Sequence, residues 1–259
     1  MYTIGVVPYL NALPLFRTLE TSGAARIVRS VPRRLAQQLA DGECDVALIP
    51  VVEHFRGVGE KIISDAGIAS SGDVRSVLLF SKVAPGEIES VALDLSSRTS
   101  VALTTILLRD AYKVQPIFVE HAPDMDAMLQ TCDAALLIGD PALEARRQLF
   151  GNPANTIQII DLGAAWTKLT SLPFVYAAWV TRRGLDLASE RELLPLLNTA
   201  RDEGKANLGE ILSHNPNPTN LSIEEIRLYL TEAIEHTLTP QHFAGLEEFR
   251  RRCRAHGLV

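Results

Sequence analysis

Cys44-Asp45-Val46-Ala47-Leu48-Ile49-Pro50 reads as a helix end running into a strand. Val46–Ile49 carries no polar side chain, so both faces of the strand want cover, and Pro50 ends it. Working upstream, Tyr2–Val7 is a short β-rich run, and a loop over 8–12 leads into an apolar helix over 13–21. Residues 25–30 form a second strand. Ser30 caps the next helix, Pro32 sits in its first turn and Gly42 stops it. The order β-α-β-α-β, with fully apolar strands, predicts a parallel sheet covered on both faces.

The same grammar returns downstream. Residues 90–93, 116–119 and 134–138 read as strands, with helices over 99–112 and 125–131 between them. Cys132-Asp133-Ala134-Ala135-Leu136 echoes Cys44-Asp45-Val46-Ala47-Leu48, as two similar lobes would give. Between the halves runs an apolar strand over 76–82, and after the second half another over 174–180. One strand out and one back is the plan of a two-lobed α/β clamshell with two hinges. It assigns residues 1–82 and 178–259 to the first lobe and 83–177 to the second. The remainder is helical, over 186–205, 207–213, 222–235 and 239–254. Ser222 with Glu225 forms a capping box, and Thr239 precedes Pro240. The ligand belongs in the cleft at the carboxyl ends of both sheets.

The 259 residues are 47% hydrophobic and 22% charged, enough for real cores. A net charge of -6 argues against nucleic acid as partner; the one dense basic run, Arg250–Arg252 with Arg254, suits a solvated helix end. No apolar run is long enough to span a membrane, and the N-terminus enters a strand at once without a secretory pattern. A cytoplasmic location is expected. Three scattered cysteines, Cys44, Cys132 and Cys253, fit buried thiols in a reducing compartment. Phosphate-loop, dinucleotide, zinc-protease and nucleophile-elbow motifs are missing, so neither metal nor cofactor is expected.

What remains is polar residues at the carboxyl ends of strands. Tyr9 and Asn11 follow the first strand; Asn11 offers a donor and an acceptor, or serves as a helix cap. Ser96, Ser97, Arg98, Thr99 and Ser100 open a helix, where dense hydroxyls, a guanidinium and free N–H groups suit an anion site, the alternative being ordinary capping by Ser97 or Thr99. Gly139 allows close approach of a ligand to the backbone, and Asp140 follows it at the helix start. Arg75 and Ser76 precede the outgoing hinge strand and Ser81 lies on it, facing the cleft floor; Trp166 packs against the second lobe.

Five segments in order, residues 7–12, 45–50, 75–81, 94–100 and 137–140, resemble the chorismate dehydratase family of the futalosine route to menaquinone. The resemblance covers residues 1 to about 180, and the helical tail is compatible with it. It implies a type II periplasmic-binding-protein-like fold kept in the cytoplasm as an enzyme. It also implies cofactor-free conversion of chorismate, a dicarboxylate, into 3-[(1-carboxyvinyl)oxy]benzoate and water. On that resemblance Asn11 and Ser81 are the catalytic candidates. Tyr9, Arg75, Ser76, Ser97, Arg98, Thr99, Ser100, Gly139 and Asp140 bind substrate. A solute-binding protein, a regulator's sensing domain and the sister 1,4-dihydroxy-6-naphthoate synthase are the rivals. The sister family carries a histidine where this chain has Gly139-Asp140. Monomer and homodimer are both compatible.

Overall fold

The computed structural model describes residues 1–94, 98–150, 156–214 and 217–259. The first half runs β1 (Thr3–Val6), α1 (Leu13–Ser22), β2 (Arg26–Arg29), α2 (Pro32–Ala40), β3 (Val46–Pro50), α3 (Val51–Phe55) and β4 (Ile62–Ser70). The second half runs β5 (Val77–Ser81), β6 (Ser90–Asp94), α4 (Arg98–Asp110), β7 (Ile117–His121) and α5 (Met125–Thr131). It continues with β8 (Ala134–Ile138), α6 (Gly139–Phe150), β9 (Gln158–Asp161) and α7 (Leu162–Thr170). The chain returns through β10 (Phe174–Thr181), α8 (Leu187–Ala206), α9 (Leu208–His214), α10 (Ile223–Leu228), β11 (Glu235–Thr237) and α11 (Pro240–Ala255).

Strands β3 and β8 are buried along their whole length, as their unbroken apolar sequences require. The first sheet has the order β11-β4-β10-β3-β1-β2 and the second β7-β6-β8-β5-β9. Within each, three consecutive strands are parallel and the strand beyond them is antiparallel. In the first sheet that antiparallel strand is β10; in the second it is β5. Setting β11 aside, the two sheets share one topology, and β3 and β8 occupy the same place in it.

The sequence echo therefore marks equivalent positions, and its aspartates do equivalent work. Asp45 accepts from the Thr3 backbone N–H at 2.9 Å, tying the strand to the start of β1. Asp133 accepts from the Ser90 N–H at 3.0 Å, at the start of β6. Each carboxylate satisfies a donor that the sheet leaves over.

The expected crossovers at residues 82 and 178 fall elsewhere. β5 pairs with β8 and β9 from its first residues, and β10 pairs with β3 and β4. The chain therefore changes sheets over residues 71–76 and 171–173. Strand β4 was not expected, because Ser64, Asp65 and Gly67 interrupt its apolar pattern, and β9 was likewise unread. The expected helix over 222–235 is shorter. Its capping box forms, but α10 gives way to a π-helical turn over Tyr229–Ala233, then to β11. Ile234, His236 and Leu238 are all buried, with the two-residue period of a strand.

The three cysteines are free and buried, and burial pushes Cys44 up to about 11 and Cys253 up to about 12. Where the chain returns, Trp166 of α7 meets Phe174 of β10 with ring centroids 5.2 Å apart and Phe249 of α11 at 5.9 Å. Its indole N–H donates to the Pro173 carbonyl at 3.2 Å, within the return crossover. The ring thus joins α7, which packs on the second sheet, to the first sheet and the C-terminal helix. Trp166→Ala opens a cavity there. It is expected to lower unfolding free energy by about 3–5 kcal/mol in chemical denaturation, as large aromatic deletions in a core do.

Candidate active site

A cavity with about 510 Å³ of space, mouth included, opens between the sheets and is lined from both. Val7, Tyr9 and Asn11 reach it from the end of β1, and Leu48 and Pro50 from β3. Ser76 and Val77 come from the outgoing crossover, Ser100 from the first turn of α4, Ile138 and Gly139 from the end of β8, and Tyr176 from β10. The lining is mostly apolar, and its polar residues are Tyr9, Asn11, Ser76, Ser100 and Tyr176.

Tyr9, Asn11, Ser76, Ser100 and Gly139 are thus brought together. Gly139 takes a left-handed φ of 61°, and a Cβ on it would lie 3.1 Å from the Tyr9 ring. What approaches its backbone is the aromatic plate of the facing loop, which closes the cavity. Asn11 sits in the 3₁₀ turn Leu10–Ala12, and its Oδ1 is buried without a hydrogen-bond partner. A buried acceptor left open on a cavity wall is a demand for a ligand or water donor.

Five expected site residues stand elsewhere, and Ser97 lies outside the described residues. Ser81 is at the wrong end of β5. That strand is antiparallel to β8, so its first residues face the carboxyl ends of the parallel strands, and Ser81 pairs with Ala134 at the far edge. Its hydroxyl donates to the Val83 carbonyl at 2.8 Å. The Arg98 guanidinium turns to Glu53 at 3.2 Å and lines an outer groove with Arg33 and Arg56. Thr99 is buried and accepts from the Val52 N–H at 3.3 Å, holding α4 to α3. Arg75 pairs with Glu232 at 3.2 Å on the outer side. Asp140 does not line the cavity: its Oδ1 accepts from the Leu10 N–H at 3.2 Å, fastening α6 to the loop after β1.

Sequence reading missed three contributors. Tyr176 bonds Ser70 at 3.0 Å, and its signal was a hydroxyl in an otherwise apolar strand. Tyr229 donates to Ser76 Oγ at 2.7 Å. His236 Nε2 donates to the Asn11 carbonyl at 2.8 Å; its signal was the alternation through Ile234 and Leu238. Among the described residues no three His, Cys, Asp or Glu side chains converge as metal ligands.

Two sheets of like topology joined by two crossovers, with the cavity at their facing ends, define a periplasmic-binding-protein-like protein. A structural-genomics protein of Archaeoglobus fulgidus superposes with a TM-score of 0.76 at 16% identity, covering 100% of this chain and 98% of that one. The periplasmic aliphatic sulphonate binding protein of Escherichia coli gives 0.58 at 17% identity, covering 100% and 88%. These likenesses carry the fold alone.

Sequence carries the rest. Residues 2–255 match the family model described as menaquinone biosynthesis, and the chain belongs to that family. It is 32% identical over 223 residues to a chorismate dehydratase of Thermus thermophilus, covering 81% of this chain and 80% of that protein. A chorismate dehydratase of Campylobacter jejuni is 26% identical over 263 residues, covering 98% and 99%.

Burial pushes the Asp140 carboxyl up to about 6, against a small opposing pull from the Leu10 N–H. The folded state then holds this proton more tightly than the unfolded chain does. Asp140 stabilises the fold below its ordinary value of 3.8, and that contribution is lost as pH rises through 6. His236 does the reverse: burial lowers it from 6.5 to about 4, so its contribution falls as pH drops from 6.5 through 4. The two slopes oppose each other across one window. Asp140→Asn removes only the first. Denaturant titrations at pH 4 and pH 6.5 should show the variant gaining about 2 kcal/mol on the parent between the two, by linkage. A constant difference between the proteins would contradict the shift.

Proposed function

We propose that the chain is a chorismate dehydratase of menaquinone biosynthesis by the futalosine route, a cytoplasmic hydro-lyase that acts without a cofactor. The family supports the reaction. The observation that carries the site is the buried, unpartnered Asn11 Oδ1 on a residue that lines the cavity with Tyr9, Ser76 and Ser100. Substrate differs from product by one water and no electrons, so the elimination requires no redox partner.

The proton on ring carbon C3 leaves first, and its bonding pair spreads through the conjugated ring carboxylate as a dienolate. Ser100, which lines the cavity from the start of α4, is the residue this reading assigns to that carboxylate, stabilising the growing charge by the logic of an oxyanion hole. Collapse of the dienolate breaks the C4–O bond and expels hydroxide, which leaves as water with the proton taken from C3. Aromaticity drives this second step. Asn11 Oδ1 accepts from the C4 hydroxyl and Ser76 donates to it, holding the C–O bond across the ring plane. Tyr9 and Gly139 close the cavity and exclude solvent.

A base must stand within hydrogen-bond reach of the C3 proton. The described lining supplies no carboxylate or imidazole. Glu53 is held by Arg56 at 3.3 Å and Arg98 at 3.2 Å, and Asp140 by Leu10. The enolpyruvyl carboxylate of the substrate itself is the base in this reading.

Protein mixed with chorismate alone should yield a product lighter by one water, identified by chromatography and mass spectrometry as the 3-substituted benzoate. Asn11→Ala should cut kcat by about 100-fold with the fold intact, the scale of a lost polar contact to the reacting group. Chorismate bound tightly and returned intact would replace the enzyme with a binding protein.

A further inference from the structure

The C-terminal segment that replaces the expected helix touches the cavity from behind at two points. Tyr229 opens the π-helical turn, is fully enclosed, and donates to Ser76 Oγ at 2.7 Å. Seven residues on, His236 of β11 is 3% exposed and donates from Nε2 to the Asn11 carbonyl at 2.8 Å. Neither residue lines the cavity, yet each holds a polar residue that does.

The two bonds act on direction. A serine hydroxyl has one hydrogen and two lone pairs. With one lone pair taken by Tyr229, its hydrogen is left to donate, and the acceptor it meets among the described residues is the Val74 carbonyl at a weak 3.4 Å. The Asn11 amide also interacts with Tyr229, so Tyr229 faces both residues. At Asn11 the backbone carbonyl is bound by His236 while the side-chain Oδ1 stays open. The 3₁₀ turn is pinned by its main chain, and its side chain is presented to the cavity. His236 stays neutral because burial lowers it to about 4, so it keeps one N–H and one lone pair at neutral pH.

We propose that Tyr229 and His236 are positioning residues for the elimination, Tyr229 aiming the Ser76 hydroxyl and His236 aiming Asn11. A regular helix over 222–235 would serve neither purpose. The π-turn sets Tyr229 against Ser76, and the strand that follows sets His236 against Asn11. π-Helical turns recur at functional sites.

The inference rests on the proposed reaction, and the test separates the two. Wild type, Tyr229→Phe, His236→Leu and His236→Gln are assayed with chorismate, with thermal unfolding followed in parallel. Tyr229→Phe keeps the ring and loses the donor. His236→Gln keeps an N–H at similar reach, and His236→Leu does not. Tyr229→Phe and His236→Leu are expected to lose about 10-fold or more in kcat, with KM moved by less than about 3-fold, since the lost interaction acts in the transition state. His236→Gln should recover most of the rate. Full rate in Tyr229→Phe, or equal losses in the Gln and Leu variants, would overturn the proposal. Should the wild type convert no chorismate, the reaction fails but the positioning is still read from the Asn11 side-chain amide in ¹⁵N NMR. That signal shifts in Tyr229→Phe and His236→Leu and returns in His236→Gln if the bonds hold it; unmoved signals overturn the inference.

Discussion

A parallel sheet built from consecutive β-α-β units leaves its last strand with an unpaired edge, and in this chain each sheet covers that edge with an antiparallel strand, made after the return crossover in the first sheet and before the parallel strands in the second. β10 enters the first sheet between β3 and β4, and β5 enters the second between β8 and β9. Both run antiparallel to their neighbours, so each presents its amino end where the parallel strands present their carboxyl ends. That one constraint puts Ser76, Val77 and Tyr176 into the same cavity as Tyr9, Asn11 and Gly139. The two antiparallel strands thus supply the floor of the cleft.

The polar groups around that floor are few, and most are committed. Asp140 is spent on Leu10, Thr99 on Val52, and Glu53 on two arginines. Asn11 Oδ1 stands out because the residue's backbone carbonyl is occupied while this side-chain oxygen is not. Selectivity in such a site comes from which hydrogen-bonding atoms are left open in an apolar setting, where an unmet partner costs more than in water.

Much of the framework was legible in sequence because it depends on local pattern. The unbroken apolar run Val46–Ile49, its echo at Ala134, and the capping box at Ser222 each carry their physical cause within a few residues. The tail was misread at Tyr229, where helical periodicity continues into a π-turn whose reason, the hydroxyl of Ser76, is 153 residues away. Ser81 was misplaced for a related cause. The strand itself was read correctly, but which end meets the cleft depends on its direction in the sheet, and that is set by β8. Arg98 looked like an anion ligand beside its hydroxyl neighbours, and Glu53, unread as its partner, turned it outward. Gly139 was noticed as permissive, though the group using that permission is Tyr9, from the other half of the chain.

The place of β10 also bears on the order of events during synthesis. β3 and β4 are not neighbours in the first sheet; β10 separates them. A ribosome that has delivered residues 1–70 has made every helix of the α/β unit but not the strand that joins its two parts. The nascent N-terminal third must therefore wait, with an exposed edge, while the second half emerges. The second half is better served: its antiparallel strand β5 precedes it, so its sheet can close as soon as β9 is made. The lobe that is last to begin is then the first able to finish, and the lobe bearing Asn11 closes around it only after residue 181 has left the tunnel.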